Sequence, residues 1–165
     1  FYYILSGLMN GNYGISFDVE NKTGKDLYSV FATSDFSISP AILFHEYSHP
    51  FINPLTEKYK ELVREYESAH ELLAKYKLPG FLSGYGDWEE CVNEHFVRAM
   101  VIHLLEKCNL QETAEKMLEY DLQNGYRYIP LILDKYKYYD ENRNVFRNFE
   151  MFYPELLRVF EDDSI

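Results

Sequence analysis

Short aromatic and β-branched runs open the chain: Tyr2-Tyr3-Ile4-Leu5, Tyr13-Gly14-Ile15-Ser16-Phe17 and Leu27-Tyr28-Ser29-Val30-Phe31. Turn chemistry from Gly7 to Gly11 and from Asn21 to Gly24 separates them, so the first third predicts a small antiparallel sheet. The period then changes. Ser39-Pro40 supplies a cap and a proline at the first helical position, and Ala41-Ile42-Leu43-Phe44 carries a helix into His45-Glu46-Tyr47-Ser48-His49. Pro50 is expected to end or kink that helix just past His49. Asn53-Pro54 repeats the start signal and opens a polar helix through about Lys77, closed by Leu78-Pro79-Gly80.

Beyond the glycine-rich stretch 80–86, Asp87 with Glu90 forms a capping-box pattern for a helix from Trp88 to about Cys108. Between Cys91 and Leu105 that helix is apolar on most sides, which makes it central. Further helices are predicted at Gln111–Asn124, stopped by Gly125, around Ile129–Tyr139, and from Val145 to Phe160 with Pro154 as an interruption. The pattern has no internal repeat. It predicts one α+β domain spanning 1–165, β-rich over 1–38 and helical over 39–165.

Composition narrows the functional classes. At 165 residues the chain can bury one sizeable core. Sixteen basic against 27 acidic side chains give a net charge of -11, which repels phosphate backbones and anionic membrane surfaces, so nucleic acid is excluded as a partner. No apolar run reaches the ~18 residues of a membrane span. Sixteen Tyr and 12 Phe suit either a wet groove that binds a polymer or a plain aromatic core. Cys91 and Cys108 fall on one predicted helix, too far apart for a disulfide, which leaves the redox compartment open. The start at Phe1 rather than Met fits a processed product, and export is the preferred compartment.

His45-Glu46-Tyr47-Ser48-His49 fits HExxH, in which histidines at i and i+4 share a helical face and can hold one tetrahedral metal. Glu46 sits beside that face, where it can take a proton from the attacking water. Chance supplies roughly 0.02 such matches in a chain of this composition, so a pair of ordinary helix histidines is the weaker explanation.

A catalytic zinc usually takes a third protein ligand. The continuation Pro50-Phe51-Ile52-Asn53-Pro54 lacks the glycine and third histidine of metzincins, which leaves a glutamate on a later helix. Trp88 to Phe96 offers one. Here the chain resembles the gluzincins, the thermolysin-like and aminopeptidase-like zincins, in which an Asn-Glu pair on a second helix supplies the third ligand; Asn93-Glu94 matches it. His45 to Pro54 together with Glu94-His95-Phe96-Val97-Arg98-Ala99 is also similar to a bacterial zincin-like family, domain of unknown function 4932. The resemblance covers about 20 residues in two blocks. It implies a zincin-like fold, Zn2+ held by His45, His49 and Glu94, and a peptide or protein substrate. Arg98 departs from the thermolysin pattern, which has Asp at that position. It also offers Glu94 an ordinary i,i+4 ion pair, although Glu94 shares an apolar stripe with Val97, Val101 and Leu105, where a carboxylate needs a strong partner. Glu90 is the reserve ligand. His70, His95 and His103 are read as packed or surface histidines.

The same resemblance implies a substrate strand lying on an edge strand, with Asn12 to Ser16 as the candidate and Gly14 allowing close backbone approach. A simple hairpin arm explains that segment equally well. It also implies a tyrosine that stabilises the oxyanion. Tyr128, just past the helix stop at Gly125, is the candidate and Tyr126 the reserve. The function expected is zinc-dependent hydrolysis of an amide bond with Glu46 as general base. The alternative is an inactive zincin-fold module that binds a peptide or protein, against which an intact Glu46 argues.

Overall fold

The computed structural model describes residues 2–5, 13–32, 39–74 and 86–162. Strands β1 (Tyr2–Leu5), β2 (Tyr13–Asn21) and β3 (Gly24–Ala32) form one sheet in the order β1-β3-β2. β2 and β3 are an antiparallel hairpin closed by a tight turn, with Asn21 opposite Gly24 and Gly24 at φ 141°, a conformation that favours glycine. β1 corrects the expectation of a purely antiparallel sheet, because it pairs parallel to β3, Tyr2 beside Tyr28 and Leu5 beside Phe31. The reason is topological. Successive strands alternate in direction, and β1 lies beside the third strand rather than the second, so the two point the same way. β3 is thereby central, and among the described residues no strand pairs with the other edge of β2.

Strand side chains alternate between faces. Ile15, Phe17 and Val19 of β2 face outward and are exposed, with Phe17 stacked on Tyr28 at 5.2 Å between ring centroids. Gly14, Ser16 and the buried Ser29 share the opposite face, toward the first helix.

Helix α1 runs unbroken from Ser39 to Lys58 with Pro50 and Pro54 inside it. The expected end at Pro50 and the second start at Asn53 are therefore corrected. A proline inside a helix removes one backbone donor and costs about 3 kcal/mol. Burial of Ala41, Ile52 and Thr56 along α1, which packs on the sheet and on helix α4, offsets that cost. The chain breaks only at Tyr59 and continues as two short helices, α2 (Lys60–Glu65) and α3 (Ser68–Leu73), rather than as one helix to Lys77. The closing Leu78-Pro79-Gly80 and the turn at 7–11 lie outside the described residues.

α4 (Trp88–Lys107) starts at Asp87, whose side chain accepts a hydrogen bond from the Glu90 amide at 2.8 Å. It is the central element, with eleven buried residues, and α1, α2, α5 (Gln111–Gln123) and α6 (Ile129–Glu141) pack around it. Polar bonds pin it in place: Trp88 Nε1 donates to the Val63 carbonyl at 2.6 Å, and the Tyr136 hydroxyl donates to the Phe96 carbonyl at 2.9 Å. Gly125 ends α5 at φ 90°. α7 (Phe149–Leu157) begins after an Asn148 cap rather than at Val145, which is exposed in the preceding turn. It passes through Pro154 and ends in a 3-10 turn, Arg158–Glu161. Cys91 is buried, Cys108 is exposed, and neither forms a disulfide.

Candidate metal centre

α1 and α4 bring three donors to one point. Nε2 of His45 and Nε2 of His49 are 3.1 Å apart, and Glu94 Oε1 lies 3.9 Å from the first and 3.5 Å from the second. Donors held ~2.0–2.2 Å from one ion at tetrahedral angles stand about 3.3–3.6 Å apart. The three measured separations bracket that range, and no other such group of metal-capable side chains occurs among the described residues. Glu90, the reserve ligand, is exposed at the start of α4 and outside the group.

The surroundings of each imidazole bear on its use as a donor. His49 Nδ1 sits 3.2 Å from Asn53 Oδ1; a proton donated there leaves Nε2 as a lone pair aimed at His45 and Glu94. Burial pushes the His45 pKa down to about 4, against the opposing pull of Glu94. One turn beyond Asn53, Thr56 donates to Asn93 Oδ1 and lies 2.6 Å from the Tyr153 hydroxyl, so a buried polar chain locks α1 to α4 beside Glu94.

Glu94 is shared between two tasks. Oε1 faces the histidines, while Oε2 accepts from Arg98 Nε at 3.1 Å. Arg98 reaches on to Asp121 Oδ1 of α5 at 2.7 Å and lies over the Tyr126 ring at 4.3 Å. Asp121 is fully buried, and burial pushes its pKa up to about 6 against the pull of Arg98. The ion pair that competes with metal ligation in the sequence therefore occupies only one of the two Glu94 oxygens.

Glu46 is buried beside this group, and its pKa is pushed up to about 7, first by burial and then by the Glu94 carboxylate. A carboxylate poised there can exchange protons near neutrality. Strand β2 crosses directly over it. A Cβ on Gly14 would stand 2.5 Å from Glu46 Oε1, so any larger residue there would displace the Glu46 side chain. Gly14 is thus in close contact with the chain's own Glu46, on a strand whose other edge meets no strand among the described residues.

Tyr128 lies elsewhere. It is wholly buried, its ring centroid 4.9 Å from that of Phe160 and 6.0 Å from that of His95, in the aromatic core. The expected exposed, loop-like position is thus corrected: the ring packs in the buried interior against Phe160 and His95 although its position follows a helix stop. Tyr126 is also buried, beneath Arg98. His95 donates from Nδ1 to the Cys91 carbonyl at 2.8 Å inside the core, His103 pairs with Asp140, and the His70 ring lies 5.9 Å from that of Trp88.

The family described as domain of unknown function (DUF4932) matches residues 11–159, and the chain belongs to it. No curated protein and no solved structure matches the chain.

Proposed function

We propose that this domain is a zinc-dependent metallopeptidase of zincin-like architecture. The observation that carries the reading is the convergence of His45 Nε2, His49 Nε2 and Glu94 Oε1 at tetrahedral-zinc spacing with Glu46 beside them. Two neutral nitrogens and one carboxylate are a borderline-soft, three-ligand set of the kind catalytic zinc uses, with a fourth position left for water or substrate. Zinc bound there would supply Lewis acidity, acidifying water and polarising a substrate carbonyl.

The chain's own groups do the rest. Glu46 takes a proton from the water whose oxygen bonds to the carbonyl carbon. It returns that proton to the amide nitrogen as the C–N bond breaks, so the base is regenerated. Asn53 and Arg98 orient two of the ligands. The other edge of β2, paired with no strand among the described residues, offers main-chain groups to an extended peptide, and β2 carries Gly14 across Glu46. An open strand edge suits a peptide substrate.

The test is metal content by elemental analysis after reconstitution, together with cleavage of casein and a peptide library with and without chelator. One zinc per chain and chelator-sensitive cleavage are expected. No retained zinc overturns the reading, and stoichiometric zinc without turnover on any peptide replaces it with a binding module.

A further inference from the structure

A second concavity lies on another face of α1. It is a groove of about 600 Å³ lined by Phe44, Tyr47, Phe51 and Leu55 of α1 and by Met100 and Leu104 of α4, among others. A volume of this size is ordinary for a small-molecule site. These four α1 residues recur every three or four positions, so they form one stripe. Eleven residues at 1.5 Å rise make that stripe about 16 Å long. A long apolar trough fits an extended aliphatic chain better than a compact ring system.

Its lining carries a definite charge. The turn between α6 and α7 contributes Arg143 and Arg147 to the lining. Arg143 is held over the Tyr139 ring at 4.3 Å, and neither arginine forms an ion pair among the described residues. The carboxylate in the lining, Glu150, is engaged by Lys58. In a chain of net charge -11, two arginines left uncompensated in the lining of an apolar groove select for an anionic head.

We propose that this groove binds a single-chain aliphatic carboxylate, with the tail along the Phe44–Leu55 stripe and the head against Arg143 and Arg147. The site is separate from the metal centre and does not depend on it.

The experiment is calorimetric titration of the intact chain, in chelator, with octanoate, decanoate and dodecanoate below their micelle concentrations. Affinity is expected to rise about fourfold per added methylene, the increment for burying one CH₂. Dodecanol and dodecyltrimethylammonium should bind several-fold more weakly than dodecanoate. The double variant R143Q/R147Q should erase the preference for carboxylate while keeping the chain-length dependence. Phe51→Glu, at a residue 54 % exposed and so tolerable to the fold, should weaken dodecanoate at least tenfold. Absence of saturable binding at every length overturns the proposal. So does equal binding of the cationic amphiphile, or an unchanged affinity in Phe51→Glu. Because zinc is removed throughout, these results are independent of the peptidase reading.

Discussion

Two clusters on α4 contain the same residue types and are wired differently. Near its start, Glu94 meets two histidines and Arg98; near its end, His103 and Lys107 meet Asp140. In the second cluster a single oxygen, Asp140 Oδ2, receives both the His103 Nε2 proton at 2.9 Å and the Lys107 ammonium at 2.6 Å. With its Nε2–H donated to Asp140, the histidine turns no lone pair toward the acid, and in that sense the cluster is closed. In the first cluster Arg98 takes one oxygen and leaves the other 3.5 and 3.9 Å from two histidine ring nitrogens. On the reading proposed above, what would separate a ligand set from an ion-pair network is the direction of lone pairs, which composition does not reveal.

The largest effect should break the comparison outright. His45→Ala and His49→Ala should each abolish stoichiometric zinc, because two remaining donors cannot hold the ion against a chelator. His103→Ala, which removes a histidine from the closed cluster, should leave zinc content at the wild-type value. Elemental analysis after dialysis decides between them, and loss of zinc in His103→Ala with retention in His49→Ala would reverse the assignment.

Next comes turnover. Glu46→Gln should keep zinc and lower kcat by ~10²–10⁴, the usual cost of a lost general base. Glu94→Gln should lower zinc affinity and activity together. Gly14→Ala supplies a control from outside the cluster: its Cβ would stand 2.5 Å from Glu46 Oε1, so the base must move and kcat should fall while zinc remains. Unchanged kcat in Gly14→Ala would show that the position of the base does not depend on β2.

The histidine spacing made the first cluster legible in the sequence, since i and i+4 fix one helical face whatever surrounds it. The hairpin and α4 through α6 were legible for similar reasons, namely turn residues, an Asp87 cap and a Gly125 stop. Asn53 and Thr56 were not. Both lie on the same helix as His45 and His49 only if that helix continues past Pro50, and local propensity says that it ends or kinks there. Tertiary packing of α1 against α4 overrides that preference, and such packing has no local signature. Asp121 was hidden for another reason. It meets Arg98 from 23 positions away, across a contact that only the folded chain makes. Tyr128 failed in the opposite direction: its loop-like neighbours suggested exposure, and the aromatic core claimed it.

A smaller effect sharpens the comparison from within the first cluster. Arg98→Gln should free Glu94 Oε2, loosen the orientation of Oε1 and weaken zinc by ~10–100-fold, the range for losing a group that orients a ligand. Asp121→Asn should act in the same direction through Arg98, which it holds at 2.7 Å. Competition with a graded series of chelators measures both. Wild-type affinity in both variants would mean that Oε1 is positioned by α4 alone.

The smallest effect belongs to the closed cluster and appears in stability rather than in metal. Burial pushes the His103 pKa below its ordinary value of 6.5, although the Asp140 carboxylate pulls the other way. With Nε2–H donated to Asp140, a second proton would go to Nδ1, which is buried and meets no hydrogen-bond partner among the described residues. The folded chain therefore resists a proton that the unfolded chain accepts as pH falls below 6.5. Unfolding takes up that proton, so stability is lost as pH drops from 6.5 toward the lower folded-state pKa. Asp140, held below its usual range by Lys107 and His103, adds to the loss in the same direction at still lower pH. Thermal unfolding of the chelated chain between pH 7 and pH 5 should show a falling Tm. His45 and His95, whose pKa values burial pushes down to about 4, contribute to the fall, while Glu46 and Asp121, pushed up by burial, oppose it. His103→Gln, which keeps a donor toward Asp140 but cannot titrate, should therefore reduce that fall by the His103 share without changing zinc affinity at pH 7. An undiminished slope in His103→Gln would mean that another buried histidine carries it.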